Sequence, residues 1–124
     1  MISQDFYTGI FQVILASEMK ICIPIREKSL KKAEKQARKA RKRADFIELW
    51  LDSFPNFNLL SNLKSLIKIA QKPIIVVCRA PREKGTFRGS ERQRIGRLIL
   101  ATQAGVRFVD IGIHTSSKLL HQLK

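Results

Sequence analysis

The chain has 124 residues, of which 44% are hydrophobic, and carries a formal net charge of +14. This length suits one domain with a modest core and falls short of a complete eight-fold α/β barrel, which takes about 250 residues. The charge favours solubility and attraction to polyanions. No stretch reaches the ~18 apolar residues that a membrane-spanning helix needs, so we predict no membrane contact.

The first 18 residues differ in character from the rest. They have an apolar centre, but they contain Asp5 and no basic residue precedes Lys20, whereas a secretory signal begins with positive charge. The segment MKICIPI starts at Met19 and leads directly into a predicted strand. We therefore predict that residues 1–18 are an extension or a misassigned start, and that residues 19–124 form the domain.

Both cysteines lie in apolar runs. Cys22 is part of ICIPI and Cys78 is part of IIVVCRA. This setting predicts two buried free thiols rather than a disulfide, which is typical of a reducing compartment. We therefore expect a cytoplasmic protein.

Short β-rich runs alternate with helical runs along the first half of the domain. A strand at residues 21–25 is followed by a helix that Ser29 caps and that continues to about residue 43. Alanines spaced by three and four give this helix a narrow apolar stripe. A second strand covers residues 45–52, and a leucine-rich helix then continues until Pro73 breaks it.

The second half repeats this alternation. A strand at residues 74–80 shows little alternation, which is typical when both faces are buried. Ser90 and Gln93 fit a capping box for a third helix, and Gly105 is placed to end it. A fourth strand covers residues 106–113, and a last helix begins within SSKLLHQLK.

Strands that alternate with helices in this way pair in parallel through right-handed crossovers. The pattern suits either a flavodoxin-like sheet or part of an α/β barrel. In both folds ligands bind at the carboxyl ends of the strands.

The second strand carries two acids on one face. Glu48, Trp50 and Asp52 occupy every second position, so they point to the same side, and the residues between them are aliphatic. An unpaired buried carboxylate is costly. The polar face is therefore either exposed to solvent or lines a site.

Further charged residues lie at the predicted strand ends. Asp52 ends the second strand, Arg79 ends the third, and Glu83 follows in the next loop. Asp110 lies inside the fourth predicted strand, on the same face as Gly112. Together these groups suit an anionic, hydroxylated small molecule. A set of purely structural salt bridges is the alternative.

Three segments together resemble one enzyme family. The segments MKICIPI, ADFIELWLD and KPIIVVCRAPREKGTFRGSERQRIGRLILATQAGVRFVDI are similar to type I 3-dehydroquinate dehydratases over about residues 19–124. The resemblance implies a TIM-type (β/α)8 barrel, usually dimeric, of which this chain forms the first four β/α units with parallel strands. It also implies a lyase of the shikimate pathway of aromatic amino acid biosynthesis. Such enzymes convert 3-dehydroquinate to 3-dehydroshikimate and water through a Schiff base on a lysine, without metal or cofactor.

The strand motifs of the family match in part. Its second strand typically reads Glu-x-Arg-x-Asp, so Glu48 and Asp52 match and Trp50 replaces the arginine. Its fourth strand is usually Asp-x-Glu, so Asp110 matches and Gly112 replaces the glutamate.

The loop motif of the family is also partly present. The family has an arginine, three residues, and then Glu-Gly-Gly. Here Arg79 and Glu83 match, Lys84 replaces the first glycine and Gly85 matches the second. The F-x-G that follows is kept as Phe87 and Gly89.

The resemblance implies a role for each matched charged residue. Glu48 and Arg79 would hold the hydroxyls and carboxylate of the substrate. Glu83 would help to orient the catalytic histidine, and Asp52 and Asp110 would support the site from behind.

The general acid–base histidine and the Schiff-base lysine of the family lie on its fifth and sixth strands. A Schiff-base lysine needs a desolvated, cationic surrounding, and the lysines here look solvated. His114 and His121 are interpreted as surface residues. We therefore expect the chain to be inactive alone. It would be a truncated or split gene product, a half-barrel that pairs with itself or with a second half-barrel chain, or a degenerate relative.

The run REKSLKKAEKQARKARKR suggests a second function class. It holds ten basic residues in eighteen, which would suit a non-catalytic module that binds nucleic acid or another polyanion. No aromatic residue interrupts the run, so stacking on bases is not expected. Its alanine stripe favours the solvated outer helix of a barrel.

Overall fold

The computed structural model describes residues 19–112 and 115–123. Four strands form one parallel sheet in the order β1-β2-β3-β4: β1 Cys22–Ile25, β2 Phe46–Trp50, β3 Ile74–Val77 and β4 Phe108–Val109. The helices are α1 Leu30–Ala40, α2 Leu59–Ala70, α3 Glu91–Ala104 and α4 Ser117–Leu120, with 3₁₀ turns at Pro81–Glu83 and His121–Leu123.

The strand order separates the two folds that the sequence pattern allowed. A flavodoxin-like sheet has the order 2-1-3, whereas each strand here pairs with the next strand in the chain. Helix α1 packs against α2, and α2 packs against α3, so these helices form one layer. Sequential parallel strands with one helical layer are the arrangement of a (β/α)8 barrel. The prediction of its first four units is therefore confirmed.

The helix signals in the sequence have their expected partners. The Ser29 hydroxyl accepts a hydrogen bond from the Lys32 N–H at 3.1 Å. The capping box is complete, because Ser90 and Gln93 exchange side-chain and backbone hydrogen bonds of 2.8 and 3.1 Å. Gly105 ends α3 with a φ of 106°, a left-handed conformation that glycine adopts without strain.

Helix α1 ends earlier than predicted. Its last helical residue is Ala40, and Arg41 is the C-cap. The next two residues form a turn that leads into β2. The buried residues of α1 are the predicted alanines Ala33, Ala37 and Ala40.

The core lies between the sheet and the helical layer. Alternation along β2 buries its aliphatic side, so that Ile47, Leu49 and Leu51 are 1%, 2% and 0% exposed. The paired residues of β3, Ile74 and Val76, are buried beside them. The other side of the sheet carries Glu48 and Trp50, as predicted, and no helix of the described residues covers it.

Three details of the prediction are wrong or fall outside the described residues. Cys78 is buried, but Cys22 is exposed, because it lies on the edge strand β1 and on the side away from the helices. Asp110 follows β4 rather than lying inside it, although its N–H still donates to the Val76 carbonyl at 2.8 Å. Residues 1–18, Ile113 and His114 lie outside the described residues.

The described helices include none that is long and apolar enough to cross a membrane.

Candidate functional site

Polar side chains gather at the carboxyl-terminal ends of the strands, on the side of the sheet away from the helices. We call this end of the sheet the carboxyl edge. Strand pairing sets Glu48 beside Ile75 and sets Ile75 beside Phe108. Because side chains alternate along a strand, Arg79 and Asp110 continue the same face beyond the strand ends. The predicted convergence of these residues is therefore present in the structure.

Arg79 and Asp110 form the central ion pair of this edge. The Nε and Nη2 groups of Arg79 donate to one oxygen, Oδ2, of Asp110 at 2.9 and 2.6 Å. Their side chains are 38% and 31% exposed. The hydrogen bond to Asp110 raises the pKa of Arg79 further above its already high ordinary value. Arg79 is therefore a fixed cation that remains open to solvent.

The Asp52 carboxylate accepts hydrogen bonds from backbone N–H groups rather than from side chains. Its Oδ1 accepts from the Arg79 N–H and its Oδ2 accepts from the Thr86 N–H, both at 2.9 Å. The Asp52 carboxylate thus links the end of β2 to two backbone positions of the loop that follows β3. This contact fixes the position from which the Arg79 side chain starts.

Gly85 makes this loop possible. A Cβ on Gly85 would lie 1.9 Å from the Arg79 carbonyl oxygen and 2.5 Å from Asp52 Oδ2. Its neighbour Lys84 has a φ of 64°, in the left-handed region that favours glycine. The structure thus explains why glycine suits both positions. At the first of them, Lys84 adopts the strained conformation in place of a glycine.

Glu83 lies against Gly112. A Cβ on Gly112 would meet the two carboxylate oxygens of Glu83 at 2.4 and 2.8 Å. The Glu83 carboxylate therefore occupies the space that a side chain at position 112 would take. This contact gives a physical reason for the glycine at a position where the resemblance implied a glutamate.

Trp50 lies between charged groups of three strand ends. Its Nε1–H donates to Glu48 Oε1 at 2.5 Å. The guanidinium carbon of Arg26 lies 3.5 Å from the centre of the Trp50 rings, and that of Arg79 lies 5.3 Å from it. Arg26 was not predicted to belong to the site. Its position immediately after β1, at the same edge as Arg79, was the available signal.

A second buried network lies behind Arg79. Arg94 is 1% exposed and donates to the Cys78 carbonyl and to the Thr115 hydroxyl, both at 3.0 Å. It also pairs with Glu91 at 2.8 Å. The burial of Arg94 was not predicted from the sequence. The network joins α3 to the end of β3 and to the segment after β4.

Burial sets the chemistry of Cys78. Desolvation, with a further contribution from the negative charge of Asp52, raises the pKa of its thiol to about 12. Cys78 is therefore a neutral thiol at physiological pH and a packing residue rather than a nucleophile.

The remaining candidates for catalysis are the lysines and a histidine. The lysines of the described residues are exposed, except for the half-buried Lys72, and His121 is exposed on a 3₁₀ turn. Within residues 19–112 and 115–123, no three His, Cys, Asp or Glu side chains are grouped to hold a metal ion.

The basic run forms an outer helix and its flanks. Helix α1 buries its alanines and exposes its lysines, and Arg41 donates to the Ile69 carbonyl of α2 at 3.0 Å. The predicted outer barrel helix is confirmed in this form.

The sequence profile described as type I 3-dehydroquinase matches residues 21–124. The chain belongs to the type I 3-dehydroquinase family. The resemblance stated from the sequence motifs is thereby confirmed, and the comparisons do not support the alternative of a polyanion-binding module.

Two curated relatives illustrate the similarity. The chloroplastic bifunctional 3-dehydroquinate dehydratase/shikimate dehydrogenase of Arabidopsis thaliana is 31% identical over 104 residues, which are 83% of this chain and 17% of that protein. The 3-dehydroquinate dehydratase of Methanothermobacter thermautotrophicus is 35% identical over 98 residues, which are 78% of this chain and 43% of that protein. This dehydroquinase-family chain thus spans less than half the length of these relatives.

Solved structures confirm the fold. The type I 3-dehydroquinate dehydratase of Clostridium difficile superposes with a TM-score of 0.75 and 22% identity, over 84% of this chain and 44% of that chain. The 3-dehydroquinate dehydratase of Enterococcus faecalis superposes with a TM-score of 0.69 and 22% identity, over 84% of this chain and 48% of that chain. The dehydroquinase-family chain therefore has the architecture of about half of each barrel.

Proposed function

We propose that the carboxyl edge of this sheet is the substrate-binding half of a 3-dehydroquinate dehydratase site. The observation that carries the proposal is Arg79, a cation held by Asp110 at a strand end and open to solvent, in a chain of this family. The reaction is the conversion of 3-dehydroquinate to 3-dehydroshikimate and water. It uses a lysine Schiff base and needs no metal or cofactor.

The substrate chemistry fits the groups at this edge. 3-Dehydroquinate carries a carboxylate and several hydroxyls beside its ketone. Arg79 binds the carboxylate, since a guanidinium presents several N–H donors in a plane. Glu48 accepts hydrogen bonds from hydroxyls. Asp52 and Asp110 support the site through the backbone and the side chain of Arg79.

Glu83 has a positioning role in this proposal. Its carboxylate is placed by Gly112 on the polar face, where it can accept the N–H of an imidazole. An imidazole held in this way presents its other nitrogen for proton transfer. The histidine and the Schiff-base lysine come from outside the described half-barrel.

The apolar part of the uncovered face lies at the amino-terminal ends of the strands. It supports the proposal that a partner completes the barrel. Phe46 and Phe108 pack edge to face with ring centres 5.9 Å apart, and Phe108 is 47% exposed. With Lys20, Cys22 and Ile75 they line an open cavity of about 550 Å³. In a complete barrel the interior is filled with side chains. The second half is a copy of this chain in a homo-oligomer, a second half-barrel chain, or a further part of a longer form of this chain.

The remaining assignments belong to the same proposal. The domain of residues 19–124 is the half-barrel, and it acts in the cytoplasm.

The test compares the 124-residue chain with the assembly isolated from its source cells. One portion of each sample is incubated with 3-dehydroquinate alone, and product formation is followed by the ultraviolet absorbance of the conjugated enone. A second portion receives 3-dehydroquinate and borohydride, and the reduced adduct is detected by the mass of the protein. We expect product and a reduced covalent adduct only with the native assembly. An adduct on the chain alone would show that its own lysine reacts. A native assembly without product or adduct would refute the proposed function.

A further inference from the structure

Arg26 and Arg79 approach the same indole from different strands. Arg26 follows β1 and Arg79 follows β3, and their guanidinium carbons lie 3.5 and 5.3 Å from the ring centre of Trp50 on β2. The indole is held in turn by its hydrogen bond to Glu48. The ends of β1, β2 and β3 thus place two cations beside the indole ring of Trp50.

The stacking leaves the hydrogen-bonding edge of Arg26 free. A guanidinium that stacks on an aromatic ring uses its face, while its five N–H groups point outward in its own plane. The four salt bridges among the described residues do not include Arg26. Its donors are therefore available to a planar anion such as a carboxylate.

Carboxylates outnumber cations around Arg79. Arg79 is paired with Asp110, and the charges of Glu48 and Glu83 also act on it. A carboxylate ligand that met Arg79 alone would approach one cation surrounded by three carboxylates. Arg26, which Trp50 holds in place, offsets part of this excess of negative charge.

We propose that Arg26, stacked on Trp50, is a second anion-binding residue of this site and binds the carboxylate of the ligand together with Arg79. Trp50, at the position where the family typically has an arginine, holds the guanidinium of Arg26, so that β1 supplies a cation beside this position. The inference rests on the proposed function for the identity of the ligand, a hydroxylated carboxylic acid. It does not rest on the catalytic step.

The chain offers a direct probe, because Trp50 is its only tryptophan. Its fluorescence is recorded while the chain is titrated with 3-dehydroquinate and, separately, with cyclohexanecarboxylate, which has the carboxylate and neither ketone nor hydroxyls. The variants are Arg26→Ala and Arg26→Lys. The control is Arg43→Ala, which removes the same charge from an exposed residue at the opposite edge of the sheet.

We expect Arg26→Ala to weaken binding of both acids by about tenfold or more, the effect of losing a charge-assisted hydrogen bond. The free variant should also show altered Trp50 emission, because the ring is uncovered. Arg26→Lys should recover part of the affinity, and Arg43→Ala should bind as the unmodified chain does. Circular dichroism verifies that each variant is folded.

The possible results separate this inference from the proposed function. If 3-dehydroquinate binds equally to the unmodified chain and to Arg26→Ala, the inference is wrong and the proposed function stands. If only cyclohexanecarboxylate binds, and its binding depends on Arg26, the anion site is real and 3-dehydroquinate is the wrong ligand. If neither acid binds the unmodified chain, the inference about Arg26 is wrong, and product formation by the native assembly still decides the proposed function.

Discussion

Arg79 contacts more residues of the candidate site than any of its other side chains does. Its backbone N–H is held by Asp52, its guanidinium is held by Asp110, and it lies beside Trp50. Two strands and a loop therefore determine where one cation is placed. A residue with this many independent constraints keeps its geometry in the absence of ligand, which lowers the entropic cost of binding.

Substitution Arg79→Ala should abolish measurable binding of 3-dehydroquinate in isothermal titration calorimetry. The loss of stability should be small, about 1 kcal/mol or less, because the ion pair with Asp110 is partly exposed and screened by solvent. Arg88→Ala, which changes an exposed arginine of the following loop, is the matched control. Unchanged binding by Arg79→Ala would show that the carboxylate is held elsewhere.

Gly85 and Gly96 provide a matched pair of substitutions. Gly85→Ala should destabilise the chain by about 2–3 kcal/mol, because its Cβ would overlap the Arg79 carbonyl and the loop would have to move. Gly96→Ala should stabilise it by about 1 kcal/mol, because at this helical position a new Cβ would meet nothing within 4 Å outside the adjoining backbone of its own helix. Urea unfolding measures both effects. Equal stability of the two variants would contradict the described loop.

Arg94 links helix α3 to the end of β3. Its ion pair with Glu91 is sensitive to acid. The hydrogen bond from Arg94 lowers the pKa of Glu91 below its ordinary value of about 4.3. The folded state therefore binds a proton at Glu91 less readily than the unfolded state does. The stabilisation is fully present above the ordinary carboxyl pKa and is lost as the pH falls through the lowered one.

The measurable consequence is the slope of unfolding free energy against pH. Below about pH 4.3 the stability of the unmodified chain should fall more steeply than that of Glu91→Gln, which has no proton to gain. Above that pH the unmodified chain should be the more stable of the two. Glu27→Gln, in the loop before α1, should keep the steep slope. Parallel curves for the unmodified chain and Glu91→Gln would contradict this role for the pair.

Helix α1 should not carry a nucleic-acid function. Reversing the charge of four residues of its basic end should leave 3-dehydroquinate binding unchanged, and any RNA affinity of the unmodified chain should disappear at moderate salt. Arg41 is left in place because it bonds to the Ile69 carbonyl of α2. RNA binding that persists at high salt and is lost on reversal would contradict this assignment. The four substituted residues are Arg38, Lys39, Lys42 and Arg43.

The elements themselves could be predicted because their signals are local. Capping residues, alanine or leucine spacing and the period of two along β2 act within a few positions of the chain, and they correctly indicated the described helices and strands. The order of the strands depends on which elements meet in space. For this reason the pattern allowed two folds, and the resemblance to a family was needed to choose between them.

The candidate site was only partly predictable for the same reason. Glu48, Asp52 and Arg79 could be identified from motif spacing. The stacking of Arg26 on Trp50 and the burial of Arg94 depend on side chains that meet across three strands or between helix and sheet. Exposed arginines and buried ones look alike in a sequence with 24 basic residues.

The described part of the molecule has one face covered by helices and one face that no described helix covers. Its helices cover one side of a sheet with sequential parallel strands, and the other side exposes an apolar lower part and a charged upper part. The chain spans less than half of its solved relatives, whose architecture it shares. The two parts of the uncovered face therefore correspond to the packed interior and the ligand-binding end of a barrel.

The most direct test of this account is to map where 3-dehydroquinate binds. Backbone amide NMR spectra of the isotope-labelled chain are recorded with and without the ligand. We predict that the shifts change most at the carboxyl edge of the sheet, around Glu48, Arg79 and Asp110. Changes centred on Phe46 and Phe108 at the opposite edge, or no changes at the carboxyl edge at saturating ligand, would contradict the account.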